Sequence, residues 1–220
     1  MTEPITPPGR TATIDPLLDH IVYAAPDIDE LVATFEKLTG IAPPLGGRHV
    51  GRGTRNYLVG LGGEAYLELI GPDDPTAPGR GTTAFGIDTL TEPRIVTWLV
   101  HPEDLDARVA TARASGYHPG EIGPLSRRTP DGTLLEWRLT RNPADNRAGL
   151  VPGLIDWLAS PHPTTTGLPV LPLVSFTGFH PEPDLVRRDL AAVGADLDVR
   201  TGEPGFEVVL DTPNGRVTLH

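Results

Sequence analysis

Short apolar runs alternate with amphipathic stretches along this chain, and the period of each run predicts an element. Residues 17–25 (LLDHIVYAA) are apolar and rich in β-branched and aromatic side chains, which predicts a strand with His20 on the face shared with Leu18 and Val22. Asp27 followed by Glu30 has the spacing of a capping box. Ile28, Leu31, Val32, Phe35 and Leu38 then fall on one stripe, so a helix is expected to about Thr39, stopped by Gly40. Beyond a Pro/Gly-rich loop, residues 56–61 and 64–70 flank Gly62-Gly63, a two-residue hairpin signal. Such a turn sets Leu61 opposite Glu64, Val59 opposite Tyr66 and Tyr57 opposite Glu68. Period two then gives a core face of Leu58, Gly60, Ala65, Leu67 and Leu69. The other face carries Arg55, Tyr57, Val59, Leu61, Glu64, Tyr66 and Glu68. Arg, Tyr and Glu together in otherwise apolar strands suit a cup for a polar ligand or a metal, and the same pattern describes a half-solvated sheet.

Residues 71–93 are rich in turn formers and predict a long linker. Strands are expected at 95–100, 125–129 and 133–141, the last two joined through Pro130-Asp131-Gly132, with a short strand at 154–158. A helix from Asp104 to about Ser115 ends at Gly116. The last segment reads as a strand at 173–179, a helix at 182–193 stopped by Gly194, and a hairpin of 207–211 and 216–219 across Pro213-Asn214-Gly215. The order strand, helix, several strands thus occurs three times. Its second and third copies align in detail, WLVHPEDLDARVATARASG beside FTGFHPEPDLVRRDLAAVG and RTPDGTLLEW beside DTPNGRVTLH, which points to internal duplication. Residues 1–13 read as a loose tail.

With 220 residues the chain can bury a sizeable core, and its net charge of −11 argues against nonspecific binding to nucleic acid or anionic membranes. The absence of cysteine excludes disulfides, thiolate metal sites and cysteine nucleophiles. Neither a secretion signal nor an apolar run long enough to span a bilayer is seen, so a soluble, cytoplasmic protein is expected. Two further stretches carry candidate chemistry. In GGRHVGRGTRN, glycines let backbone approach a ligand, and His49, Arg55 and Asn56 stand at the hairpin entrance, where an Arg fork holds a carboxylate or phosphate. In IDWLASPHP, Trp157 and His162 suit a pocket wall or lid. No G-x-S-x-G elbow and no phosphate-binding loop is found.

LDHIVYAAPDIDELVATFEKLTG, GGRHVGRGTRNYLVGLGGEAYLELIGP and LIDWLASPHPT resemble segments of the glyoxalase-like family of the vicinal oxygen chelate superfamily. The resemblance implies an α+β fold in which βαβββ modules pair into curved, mostly antiparallel sheets around one site, with helices outside. It implies a paired-module domain over 14–165 and an additional βαββ module over 166–220, three module-like repeats in all. Carried over residue by residue from metal-using members, it makes His20, Glu68 and Glu136 candidate ligands of a divalent metal (Zn, Fe, Mn, Co or Ni). The second-module histidine is missing, with Val96 opposite His20, and the third module has Ser175 and Leu219 at the ligand positions. The implied function is binding of a small polar metabolite by a metal-dependent lyase, isomerase or dioxygenase. His20 and Glu68 would act in catalysis, with His49, Arg55, Asn56, Tyr57, Tyr66, Trp157 and His162 around the ligand. The rival is a non-catalytic binding protein of the antibiotic-sequestering kind, and a third reading is a metal-free enzyme with Glu68 or His20 as general base. An unpaired third module invites homodimerisation.

Overall fold

The computed structural model describes residues 14–74, 84–141, 143 and 145–220; the expected tail and part of the 71–93 linker lie outside them. Strand β1 (Leu18–Ala24) leads to helix α1 (Ile28–Thr39). The Asp27 carboxylate caps this helix by accepting from the N–H groups of Asp29 and Glu30, and Gly40 ends it with a left-handed φ of 76°. Strands β2 (Leu45–His49), β3 (Thr54–Gly62) and β4 (Ala65–Pro72) follow, then a short 3-10 helix (Ala84–Thr89) within the expected linker. The same order returns as β5 (Arg94–Val100), α2 (Leu105–Ala114), β6 (Glu121–Arg128), β7 (Leu134–Arg141) and β8 (Gly153–Asp156). These eight strands close into a barrel, ordered β1-β4-β3-β2-β6-β7-β8-β5. In each unit the first strand pairs in parallel with the last, β1 with β4 and β5 with β8; the other pairs are antiparallel.

The final segment, β9 (Leu173–His180), α3 (Pro183–Val193), β10 (Asp198–Thr201), β11 (Gly205–Thr212) and β12 (Gly215–Leu219), pairs differently. Its order is β10-β9-β11-β12, so β10 takes the parallel place beside β9 and β12 ends at an edge. This sheet packs on the barrel's outer side. There Trp98 meets Phe176 edge-on, with ring centroids 5.4 Å apart, and the Ile95 N–H donates to the His220 carbonyl (2.8 Å).

Two apolar clusters follow from strand alternation. The outer one joins barrel residues such as Ile21, Leu67, Leu69 and Trp98 to Phe35 of α1, Val109 of α2 and the inward side chains of the second sheet. The inner one, with Val22, Leu58, Ile70, Leu99, Trp137 and Ile155, lies within the barrel. The helices thus sit outside, and the barrel interior is left for the site.

The hairpin corrects the expected register. Gly62 pairs with Ala65, so the turn is Gly63-Glu64, and an irregularity between Gly60 and Gly62 makes Leu61 the extra residue of a bulge. Glu68 therefore faces Leu58, and Tyr57 faces Leu69. One residue of slip turns β3 over: Asn56 and Leu58 share the interior with Tyr66 and Glu68, while Arg55 and Tyr57 face outward. Strand β2, expected as loop, forms because its glycines permit close neighbours. A Cβ on Gly47 would lie 2.0 Å from the Arg128 carbonyl oxygen, and one on Gly46 would lie 2.5 Å from the Asn56 Oδ1.

Candidate functional site

A second bulge, in β1, creates the centre of the site. Leu18 pairs with Val100 and His20 with Leu99, which leaves Asp19 as the extra residue, buried beside His20. Asp19 Oδ1 lies 2.5 Å from His20 Nδ1, Oδ2 accepts from Trp157 Nε1–H (2.9 Å), and His162 Nε2 lies 3.2 Å from Oδ2. Burial alone raises the Asp19 carboxyl. The hydrogen bonds with His162 and His20 and the positive potential of both rings outweigh it and hold the group well below the usual carboxylate range. An ionised carboxylate only accepts, so Nδ1–H of His20 is the donor, and in the neutral ring Nε2 carries the lone pair.

That lone pair faces Glu68, whose Oε2 is 3.7 Å away. Asn56 Nδ2 donates to Oε1 of the same carboxylate (2.6 Å), and His49 Nε2 lies 3.8 Å from Oε1. Burial lowers the His49 pKa; Glu68 opposes this, whereas the charges of Arg127 and His20 add to it, so the ring is held neutral. Tyr66 stacks on His20 at 4.6 Å and 18°. Burial, with Asp19 and Glu68 nearby, raises its phenol well above the ordinary value and keeps it protonated. His20, His49, Asn56, Tyr66 and Glu68 line one cavity of about 580 Å³ whose other walls carry Arg52, Arg127 and Arg141 beside apolar side chains, among them Leu99, Leu139, Ile155 and the tilted pair Trp137 and Trp157, 5.2 Å apart.

The sequence matches the family model for the Glyoxalase-like domain over residues 18–194. The chain belongs to this family. The family sits in the vicinal oxygen chelate superfamily, and structures of similar fold include members of it. A hypothetical protein from Staphylococcus aureus is 16% identical, covering 91% of this chain and 83% of that one, with a TM-score of 0.60. A variant of 4-hydroxymandelate synthase from Streptomyces coelicolor is 13% identical, with 94% of this chain and 63% of the synthase covered and a TM-score of 0.51. Methylmalonyl-CoA epimerase from Mycobacterium tuberculosis is 17% identical over 68% of this chain and 91% of the epimerase, at a TM-score of 0.40. No curated protein matches the sequence.

In this glyoxalase-like protein the residues singled out from sequence divide sharply. His20, His49, Asn56, Tyr66, Glu68 and Trp157 line the cavity. His162 stands behind it, bonded to Asp19 and edge-on to Tyr66 and Trp157. Arg55 lies outside, where it pairs with Asp29 (2.5 Å) and Asp73 (3.5 Å), and Tyr57 packs against the outer core. Glu136 is exposed, between the buried Leu135 and Trp137. Its strand is the third of its unit, not the last, because β8 closes that unit. His20, Glu68 and Glu136 therefore do not converge. His20 and His49 address different oxygens of Glu68, and among the described residues no group of three or more His, Asp or Glu side chains is placed to hold a metal ion. The implied metal does not fit these residues.

Asp19, Arg127 and Trp137 were missed. Asp19 announces itself as an acid within an apolar strand run. Arg127 shares the parity of Leu125 across a strand, and both line the cavity.

Proposed function

We propose that this protein is a metal-independent proton-transfer enzyme, an isomerase or epimerase in type, acting on a small polar metabolite held in the barrel. The observation that carries the reading is the 2.5 Å contact between Asp19 and His20 Nδ1, which leaves Nε2 bare and aimed across the cavity at Glu68. His20 serves as general base: Nε2 takes a proton from a carbon next to a carbonyl, and Asp19 stabilises the imidazolium that results. The gap of 3.7 Å between Nε2 and Glu68 Oε2 is too long for a direct hydrogen bond and puts both groups within reach of one reacting atom lying beside them. Asn56 fixes the Glu68 carboxylate, and the protonated Tyr66 supplies a hydrogen-bond donor for the oxyanion that develops. The imidazolium returns the proton to the neighbouring carbon, or to the same carbon after the planar enolate has turned over, so the protons balance and no redox partner is consumed.

A panel of small ketones, 2-oxo acids and hydroxy acids, incubated with the protein in D2O and followed by proton NMR, tests this. Exchange next to the carbonyl should survive a chelator and fall by roughly 10²- to 10⁴-fold in His20→Ala. Exchange that the chelator abolishes, or that His20→Ala leaves intact, overturns the reading. A ligand-sequestering protein is the second reading. The observation favouring it is that the β5–β8 half offers the cavity apolar side chains and arginines but no carboxylate or imidazole; it predicts tight binding without exchange.

A further inference from the structure

The cavity's charge runs against that of the protein. The chain carries −11, yet beside its histidines the charged residues lining the cavity are Arg52, Arg127, Arg141 and Glu68, three cations against one anion. Arg127 is the telling member. It is 3% exposed, projects from β6 into the interior, and its one hydrogen bond among the described residues runs from Nη1 to the Gly46 carbonyl. Among those residues it has no carboxylate within ion-pair distance; Glu68 is near enough to be felt, but its Oε1 is held by Asn56. A buried guanidinium without a counter-ion is costly and is not kept for packing alone, since buried charges are ordinarily paired. Arg141 and Arg52 line the same cavity and likewise form no ion pair among the described residues.

Deepening the proton-transfer reading on which it rests, we infer that the ligand is an organic anion with an apolar body, whose carboxylate or phosphate head is held by Arg127 while Trp137, Trp157 and Leu139 enclose the body. The planar fork of arginine suits both heads. An anion seated there would also place its neighbouring carbon in the cavity that His20 and Glu68 share.

Titration calorimetry on the full chain decides this without any turnover. The probes are 3-phenylpropionate, its neutral isostere 3-phenylpropionamide, and phenyl phosphate. At least one anion should bind, the amide should bind about tenfold or more weakly, and Arg127→Gln should weaken the anion about ten- to a hundredfold, the range for a hydrogen bond to a charged group. The order of the two anions assigns the head as carboxylate or phosphate. Binding of the amide as tight as that of the anions, no binding of either anion at millimolar concentration, or unchanged affinity in Arg127→Gln each overturns the inference. If Arg127→Gln does not fold, the comparison of anion with amide on the unaltered protein still decides. Calorimetry reads affinity and not turnover, so loss of exchange in His20→Ala speaks only to the proton-transfer reading.

Discussion

The two halves of the barrel are built alike and furnished differently. The half formed by β1 to β4 brings Asp19, His20, His49, Asn56, Tyr66 and Glu68 to the interior; the half formed by β5 to β8 brings Leu99, Trp137, Leu139 and Ile155, with Arg127 as its buried charge. Each closes by pairing its first strand with its last. The common scaffold therefore makes a shared interior, and the asymmetry of side chains makes one wall reactive and the other a surface against which a ligand body packs. Burying the reactive wall costs stability, because each carboxylate and imidazole there gives up water for a few protein partners. The apolar wall and the outer core must supply what this removes. The comparison thus predicts that substitutions on the apolar side are felt as instability and those on the polar side as lost chemistry.

The largest effect is expected at Trp157, which belongs to both sides. Trp157→Ala removes a buried ring and the donor to Asp19 Oδ2, and should lower unfolding free energy by about 3–5 kcal/mol in urea titrations. A loss below about 1 kcal/mol would mean the wall collapses to fill the space, contrary to the division of roles.

The next effect is one of pH. His49 is buried and neutral in the folded chain, with its pKa lowered from 6.5 chiefly by burial. The unfolded chain binds that proton more readily, so this contribution is fully present above pH 6.5. It is lost as pH falls below 6.5 towards the lowered folded value, at up to about 1.4 kcal/mol per pH unit for one proton. Unfolding curves of the unaltered protein and His49→Gln between pH 7 and 5 should diverge in slope by that amount at most. Parallel curves would show that the ring is not held neutral. Asp19, whose pKa is depressed, acts only below its ordinary 3.8 and leaves this window clear.

A smaller change is expected for Glu68→Gln. The amide keeps the shape, removes a buried charge and leaves Asn56 a carbonyl to donate to, so stability should stay within about 1 kcal/mol of the unaltered protein or rise. Exchange activity should nonetheless fall about 10²-fold or more. A strongly destabilised Glu68→Gln would place this carboxylate among the structural groups.

Most elements were legible from side-chain period alone, and the exceptions have physical causes. Helix α1 declares itself through Asp27, one apolar stripe and Gly40. Strand β2 does not, because Gly46 and Gly47 are chosen for what lies beside them in space, which local sequence does not contain. In the third unit, β10 at Asp198–Thr201 is short and has only Val199 deeply buried, so it offers no period to read. The site was legible where a strand is regular, as at Tyr66 and Glu68, and misread where a bulge intervenes. Leu61 reverses the face of Arg55 and Tyr57, and Asp19 joins His20 on one side of β1 instead of alternating with it.

Glu136 gives the smallest expected effect and the sharpest contrast with Glu68. Both are glutamates on barrel strands, and sequence alone treats them as equivalents. Glu68 is 5% exposed and bonded to Asn56, whereas the Glu136 side chain is exposed, and its residue meets Ser160 only through backbone groups, with N–H donating to Oγ (2.8 Å) and the carbonyl accepting from it (2.8 Å). Alanine preserves both of those backbone bonds. Glu136→Ala should therefore shift stability by no more than about 0.5 kcal/mol, as is usual for a surface position, and leave ligand binding and exchange as they were. The same substitution tests the register of the whole β6–β7 ladder. If Glu136→Ala impairs binding as Glu68→Gln impairs exchange, β7 is turned over. Trp137 would then face solvent, and the second half of the barrel could not present an apolar wall to the cavity.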